Sequence, residues 1–108
     1  MAEDTLKKNK SGKIVFDVKC SNQLDKVIRE NDGVPIMTKT GHSFIKSEIA
    51  RTDAVLGGEM SGHIFYNDNW YGFDDAIFAS LRLIEILSSY EISTHEVFKK
   101  IPKMFSTP

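Results

Sequence analysis

One cysteine, Cys20, in 108 residues excludes an internal disulfide, and it has no companion thiol at metal-ligand spacing. That usage points to a reducing compartment, with Cys20 as a small half-buried residue. Charge of one sign is also missing: 14 basic and 15 acidic residues are interspersed and leave a net charge of −1. Nothing in that balance attracts nucleic acid or an anionic membrane, so any anion site must be local. No apolar run approaches the roughly 20 residues of a membrane span. Met1-Ala2-Glu3-Asp4 lacks the basic and apolar regions of a signal peptide. The expectation is a cytoplasmic protein with neither a nucleic-acid nor a membrane partner.

What is present suffices for one globular domain, since 41% of the residues are hydrophobic and 27% charged. Polar chemistry concentrates in Gly57-Gly58-Glu59-Met60-Ser61-Gly62-His63, between two apolar runs. If the backbone there stays near extended, Glu59, Ser61 and His63 project from one side. Gly57, Gly58 and Gly62 permit unusual dihedrals and close approach of a ligand to the main chain. A carboxylate accepts from two neighbouring hydroxyls at once, so Glu59 suits the vicinal diol of a sugar. A Walker A phosphate loop is excluded because His63 and Ile64 stand where Lys and Ser or Thr are needed. The plain alternative is a glycine-rich turn with Glu59 merely solvated.

Taken in order, Asp4 to Asn9 reads as the end of a helix, with Lys7 and Lys8 near its C-terminus. Lys13 to Cys20 is rich in β-branched and aromatic residues and reads as a buried strand. Ser21 or Asn22 caps a helix to about Glu30, with Leu24, Val27 and Ile28 on one face. Val34 to Thr40 is a second strand, and Phe44, Ile45, Ile49 and Ala50 form the stripe of a second helix as far as Arg51. Ala54 to Leu56 opens a third strand that runs into the glycine-rich loop; Gly62 to Tyr66 returns antiparallel. Trp70, Tyr71 and Phe73 lead onto the longest helix, about Ala76 to Ser89, which Asp74 or Asp75 caps. Its seven large apolar residues from Ile77 to Leu87 predict substantial burial. Thr94 caps a last short helix with Val97, Phe98 and Ile101 facing inward, and the tail Phe105 to Pro108 has no obvious finish.

Strand, helix, strand, helix, strand implies right-handed crossovers and a parallel sheet, with the fourth strand as an antiparallel edge. The expected fold is a three-layer α/β domain: a four-stranded, mostly parallel mixed sheet with helices on both faces. Ligands of such sheets gather at the carboxyl ends of the strands. Those ends carry Lys19, a point charge suited to phosphate; Thr40, Gly41 and His42, at a helix start where backbone N–H groups can hold an anion; and Glu59.

With these segments in view, Gly58-Glu59-Met60-Ser61-Gly62-His63 resembles the sugar-binding loop of the α-D-phosphohexomutases, the phosphomannomutase and phosphoglucomutase family, in their third domain. Asp17-Val18-Lys19-Cys20, Lys39-Thr40-Gly41-His42-Ser43 and Trp70-Tyr71-Gly72-Phe73-Asp74-Asp75 are similar to further family segments in the same order, and the likeness covers residues from about 13 to 100. The resemblance implies a phosphoglucomutase domain 3-like fold and a part in hexose 1-phosphate to 6-phosphate interconversion through a bisphosphate. By that analogy Glu59 and Ser61 bind the two ring hydroxyls that take equivalent places in both orientations of the sugar. Met60 varies with substrate class; Lys19 contacts phosphate or lies beside the transferred group; Thr40, Gly41, His42 and His63 line the same cleft. Either histidine could assist proton transfer, with an unperturbed pKa of about 6.5.

The chain has no Ser-His-Asn-Pro phosphoserine loop, no Asp-Gly-Asp-Gly-Asp metal loop and no Arg-Ala-Ser-Asn phosphate loop of that family. Domains one, two and four are expected to be absent, residues 1–108 being a single sugar-site domain that is not itself catalytic. It is expected to need no cofactor of its own, the family's magnesium being held by another domain. The expected partners are a hexose phosphate, the other mutase domains and, through faces those domains would cover, a second copy, with Phe65, Met104 and Phe105 as candidate contacts. The bland readings are a solvated Lys19, a helix-start role for His42, a surface place for His95, and helix capping for Asp74 with Asp75, although that pair looks like a metal or acid pair. No metal site is expected.

Overall fold

The computed structural model describes residues 1–106, so Thr107 and Pro108, the last two residues of the tail read above, lie outside the described residues. Among the described residues nine elements follow one another: α1 (Ala2–Lys8), β1 (Lys13–Asp17), α2 (Asn22–Glu30), β2 (Val34–Thr38), α3 (His42–Thr52), β3 (Leu56–Gly58), β4 (Ile64–Tyr66), α4 (Ala76–Ser88) and α5 (Thr94–Lys99). The strands form one sheet in the order β2-β1-β3-β4. β1 runs parallel to both neighbours, Ile14 lying between Pro35 and Leu56, and β4 returns antiparallel to β3. The mixed α/β sheet expected from the sequence is the one found.

Alternation along β1 builds two cores. Ile14 and Phe16 face a cluster with Leu6 of α1, Ile28 of α2, Leu56, Tyr66 and Ala79 of α4. Val15 points to the opposite face, where Ile45 and Ile49 of α3 pack with Ala54 and Phe65. Side chains of period two thus feed both faces of the sheet, and helices cover each one. Phe65 is fully buried, so it is no candidate for an outer contact; Met104 and Phe105 are exposed.

The strands stop earlier than their composition suggests. β1 ends at Asp17, after which Cys20 N–H donates to Asp17 O and closes a turn, and β2 ends at Thr38. β3 extends through Gly57 and Gly58. A Cβ on Gly57 would lie 2.7 Å from Ile49 Cδ1 and 2.9 Å from Ile45 Cγ2. This glycine therefore lets α3 close on the sheet and does not admit a ligand. Gly62, with φ +97 and nothing within 4 Å of its ideal Cβ, supplies the turn.

Two helices differ from expectation in burial. α4 buries Ala79, Arg82 and Ile86, while Ile77, Leu81 and Ile84 are 78%, 60% and 63% exposed. Its inward stripe centres on a cation, because Arg82 lies over the Tyr66 ring at 4.6 Å and its Nη2 reaches Asp68 Oδ2 at 3.3 Å. α5 starts at a capping box of Ser93 with Glu96, not at a Thr94 cap, and buries no residue; Phe98 and Ile101 face outward. Local caps specify that helix, and none of its residues joins either core cluster.

Candidate functional site

β1 ends on a buried carboxylate. Asp17 follows Ile14-Val15-Phe16 and is 1% exposed. Its Oδ1 accepts from Cys20 Sγ at 3.1 Å and from Met60 N–H at 3.2 Å, and its Oδ2 accepts from Thr40 Oγ1 at 3.0 Å. These donors come from the turn after β1, the loop after β2 and the loop after β3. Burial by itself would raise the Asp17 pKa, but the three donors together hold it below the ordinary aspartate value. The same carboxylate acts in reverse on Cys20: burial, and then the bond to Asp17, push the thiol up to about 12. Cys20 is therefore an inert, protonated S–H donor at neutral pH.

Glu59 stands next to this knot. It is 8% exposed, and its Oε1 accepts the N–H of Gly41, the residue before α3, at 2.9 Å. That bond satisfies an orphan donor at the start of α3 and sets a carboxylate where the helix dipole favours negative charge. Among the described residues no donor reaches the other oxygen, Oε2. Glu59 is thus an anchored acceptor with one oxygen to spare.

The side chains of Glu59, Ser61 and His63 do not share a side, because the chain between them is not extended. Glu59 N–H donates to His63 O and Gly62 N–H to Glu59 O, both at 3.0 Å, closing a tight turn. Ser61 is exposed at its tip and Glu59 is turned inward. His63 meets a different partner: His63 Nδ1 and His42 Nε2 lie 2.7 and 3.0 Å from one oxygen, Asp74 Oδ2. The two rings are edge to face at 5.3 Å, and His42 also packs on Phe65 at 4.9 Å. Donation first from His42 and then from His63 keeps the Asp74 pKa below its ordinary value. If both neutral rings donate to it, His42 Nδ1 and His63 Nε2 are the nitrogens left without a proton.

Asp74 is therefore not a helix cap. Asp75 alone caps α4, accepting from Phe78 N–H at 2.9 Å while its other oxygen takes Trp70 Nε1–H at 3.3 Å. An antiparallel bridge between Phe65 and Asp74 sets the Asp74 backbone beside β4. Trp70 stacks on Phe78 of α4 at 4.2 Å, as expected, but Tyr71 is 76% exposed. Lys19 is exposed on the turn that Asp17 closes, and Thr40 lies at the site through its bond to Asp17. One end of the sheet thus gathers Thr40, Gly41, His42, Glu59 and His63, with Lys19 and Ser61 exposed on its turns.

Sequence reading placed Asp17 only within a family segment and took Asp74 for a helix cap, so neither was assigned to the site. The signal for Asp17 was available: it is the first acidic residue after an apolar run, at a strand's carboxyl end. Nothing local distinguishes Asp74 from Asp75.

A family model, phosphoglucomutase/phosphomannomutase, alpha/beta/alpha domain III, matches residues 1–105. The chain is 49% identical over 107 residues to a phosphomannomutase/phosphoglucomutase of Pseudomonas syringae pv. tomato and 49% identical over the same length to a phosphoglucomutase of Neisseria meningitidis serogroup A. Each match covers 99% of this chain and 23% of the relative, so the chain spans about a quarter of the length of these curated relatives. A crystal structure of a phosphoglucomutase/phosphomannomutase family protein from Burkholderia thailandensis superimposes with a TM-score of 0.94 at 44% identity, again over 99% of this chain and 23% of that one. The family match over residues 1–105, the identities and the superposition agree, and the chain belongs to the phosphoglucomutase/phosphomannomutase family as its α/β/α domain III.

Proposed function

We propose that this domain holds the sugar ring of a hexose phosphate during interconversion of the 1- and 6-phosphates, and that the 108-residue chain alone does not turn over. The observation that carries the reading is the state of Glu59. One of its oxygens is fixed by Gly41 N–H, and the other is left for a ligand's hydroxyls at the carboxyl end of the sheet. Ser61 adds a hydroxyl, Thr40, Gly41 and His42 stand beside the start of α3, and Lys19 supplies a charge for phosphate. Phosphoryl transfer needs a nucleophile and a cation, and those are assigned to segments of the mutase beyond this domain, which also supply most of the phosphate contacts.

An amide-shift titration with glucose 1-phosphate and mannose 1-phosphate tests the assignment. Weak, millimolar binding is expected, with shifts at Lys19, residues 40–42 and residues 58–63, all absent from Glu59→Ala. Uniformly unchanged spectra at tens of millimolar ligand would overturn sugar binding by the lone domain, and turnover by this chain would overturn the division of labour.

The second reading is a stand-alone domain that associates with itself. It draws on the α4 ridge of Ile77, Leu81 and Ile84, spaced i, i+4 and i+7 and more than half exposed. In a full-length mutase the same ridge would pack against the rest of the chain. Sedimentation separates the two: a concentration-dependent dimer abolished by Leu81→Lys supports self-association, and a monomer at all concentrations excludes it.

A further inference from the structure

Three ring or carboxylate atoms meet at the mouth of the site: His42 Nε2, His63 Nδ1 and a carboxylate oxygen of Asp74, all within 4.8 Å of one another. They come from three separate segments, the first residue of α3, the residue before β4 and the residue before Asp75, so their positions 42, 63 and 74 show no ligand spacing along the chain. The supports are tied to the core. His42 packs on the fully buried Phe65, and Asp74 is bridged to the same Phe65 through the backbone. The side chains themselves remain reachable, with His42 and His63 50% and 49% exposed and Asp74 21%.

We propose that His42, His63 and Asp74 form a binding site for a first-row transition-metal cation, Zn²⁺ being the ion of choice. Two imidazoles and one carboxylate are a borderline donor set that suits Zn²⁺, Ni²⁺ or Cu²⁺ and is poor for Mg²⁺, which takes oxygen ligands in an octahedron. The site is therefore distinct in chemistry from any magnesium site elsewhere in a mutase. Bonds of roughly 2.0–2.2 Å to a tetrahedral ion place the ligand atoms about 3.3 Å apart. The two nitrogen-to-oxygen separations, 3.0 and 2.7 Å, are close to that already. Only the two rings must approach each other, and their exposed edges leave them room to pivot. The ion would replace the two ring N–H groups that now face Asp74, and each ring would carry its proton on the opposite nitrogen. Three protein ligands leave a fourth position for water or an anionic oxygen. The proposal shares His42 with the hexose-phosphate reading, but zinc binding is read in the absence of sugar, so the two can fail separately.

Isothermal titration of the 108-residue chain with ZnCl₂ in a non-coordinating buffer at pH 7.5 tests it, with the visible spectrum of the Co²⁺ form as a second readout. Expected are one equivalent bound at micromolar Kd, d–d bands of a low-coordinate Co²⁺, and no response to millimolar MgCl₂. His42→Ala and His63→Ala should each weaken Zn²⁺ at least tenfold with the circular dichroism spectrum unchanged, while His95→Ala, at the remaining histidine, should bind as the parent does. Binding no tighter than millimolar, or micromolar binding that survives both His42→Ala and His63→Ala, would overturn it.

Discussion

The backbone N–H of Gly41 donates to Glu59 Oε1 at 2.9 Å across 18 residues of sequence, tying the start of α3 to the loop after β3. One carboxylate thereby serves both the fold and the ligand site, and the two uses can be separated. Glu59→Gln keeps an oxygen for Gly41 but removes the charge. It should fold normally and bind glucose 1-phosphate roughly tenfold more weakly, since charge-assisted bonds are about twice as strong as neutral ones. Glu59→Ala should lose both functions. Amide shifts of Gly41 in the two variants report the difference.

Asp17 is the more structural of the two carboxylates. Truncation to Ala leaves the Thr40 hydroxyl and the Met60 N–H without their acceptor, and should destabilise the domain by about 2–4 kcal/mol in urea unfolding. Asp17→Asn retains an acceptor and a donor that Thr40 Oγ1 can accept from, so its loss should be smaller. Equal stability of Asp17→Ala and the parent would show that the knot is dispensable.

The pH dependence follows with its sign. The folded Asp17 pKa lies below the unfolded value, so the carboxylate's contribution is present in full above about pH 4, where an unfolded aspartate is ionised. It is lost as pH falls from there through the folded value. The stability gap between the parent and Asp17→Asn should be constant from pH 7 to 5 and shrink below about pH 4. For Cys20 the sign is opposite. With its folded pKa raised to about 12, its contribution holds below the unfolded thiol's pKa and is lost as pH rises toward 12. Iodoacetamide should accordingly modify Cys20 far more slowly than a free thiol at pH 8, and Asp17→Asn should speed that reaction.

Gly57 tests packing. A methyl group at this position would meet Ile49 Cδ1 at 2.7 Å and Ile45 Cγ2 at 2.9 Å, both on buried residues of α3. Gly57→Ala should lower stability by about 1–3 kcal/mol, the usual cost of overpacking. Gly58→Ala, where the nearest atom is Ile64 Cδ1 at 3.7 Å, should have little steric effect. Thermal melts of the pair decide whether Gly57 is present for the core or for the loop.

Short-range chemistry was legible from the sequence. β-branched and aromatic residues mark β1 because they fit a pleated, buried surface, and Ser21 marks the start of α2 because its hydroxyl accepts from Gln23 N–H. Their alternation with helices fixes the handed crossovers, and so brings Thr40, Gly41, His42 and Glu59 to one end of the sheet. Family membership followed from motifs in order, which needs no coordinates. What only the tertiary structure decided is how groups distant along the chain pair. Asp74 and Asp75 are the same residue type side by side, yet one caps α4 and the other accepts from two histidines, because the bridge to Phe65 turns them to different neighbours. The direction of Glu59 depends on the turn at Gly62, and the role of Gly57 on how closely α3 approaches. The outer face of α4 is as apolar in sequence as a buried one; its exposure was decided by Arg82, which takes the inward position over Tyr66 and leaves Ile77, Leu81 and Ile84 on the surface.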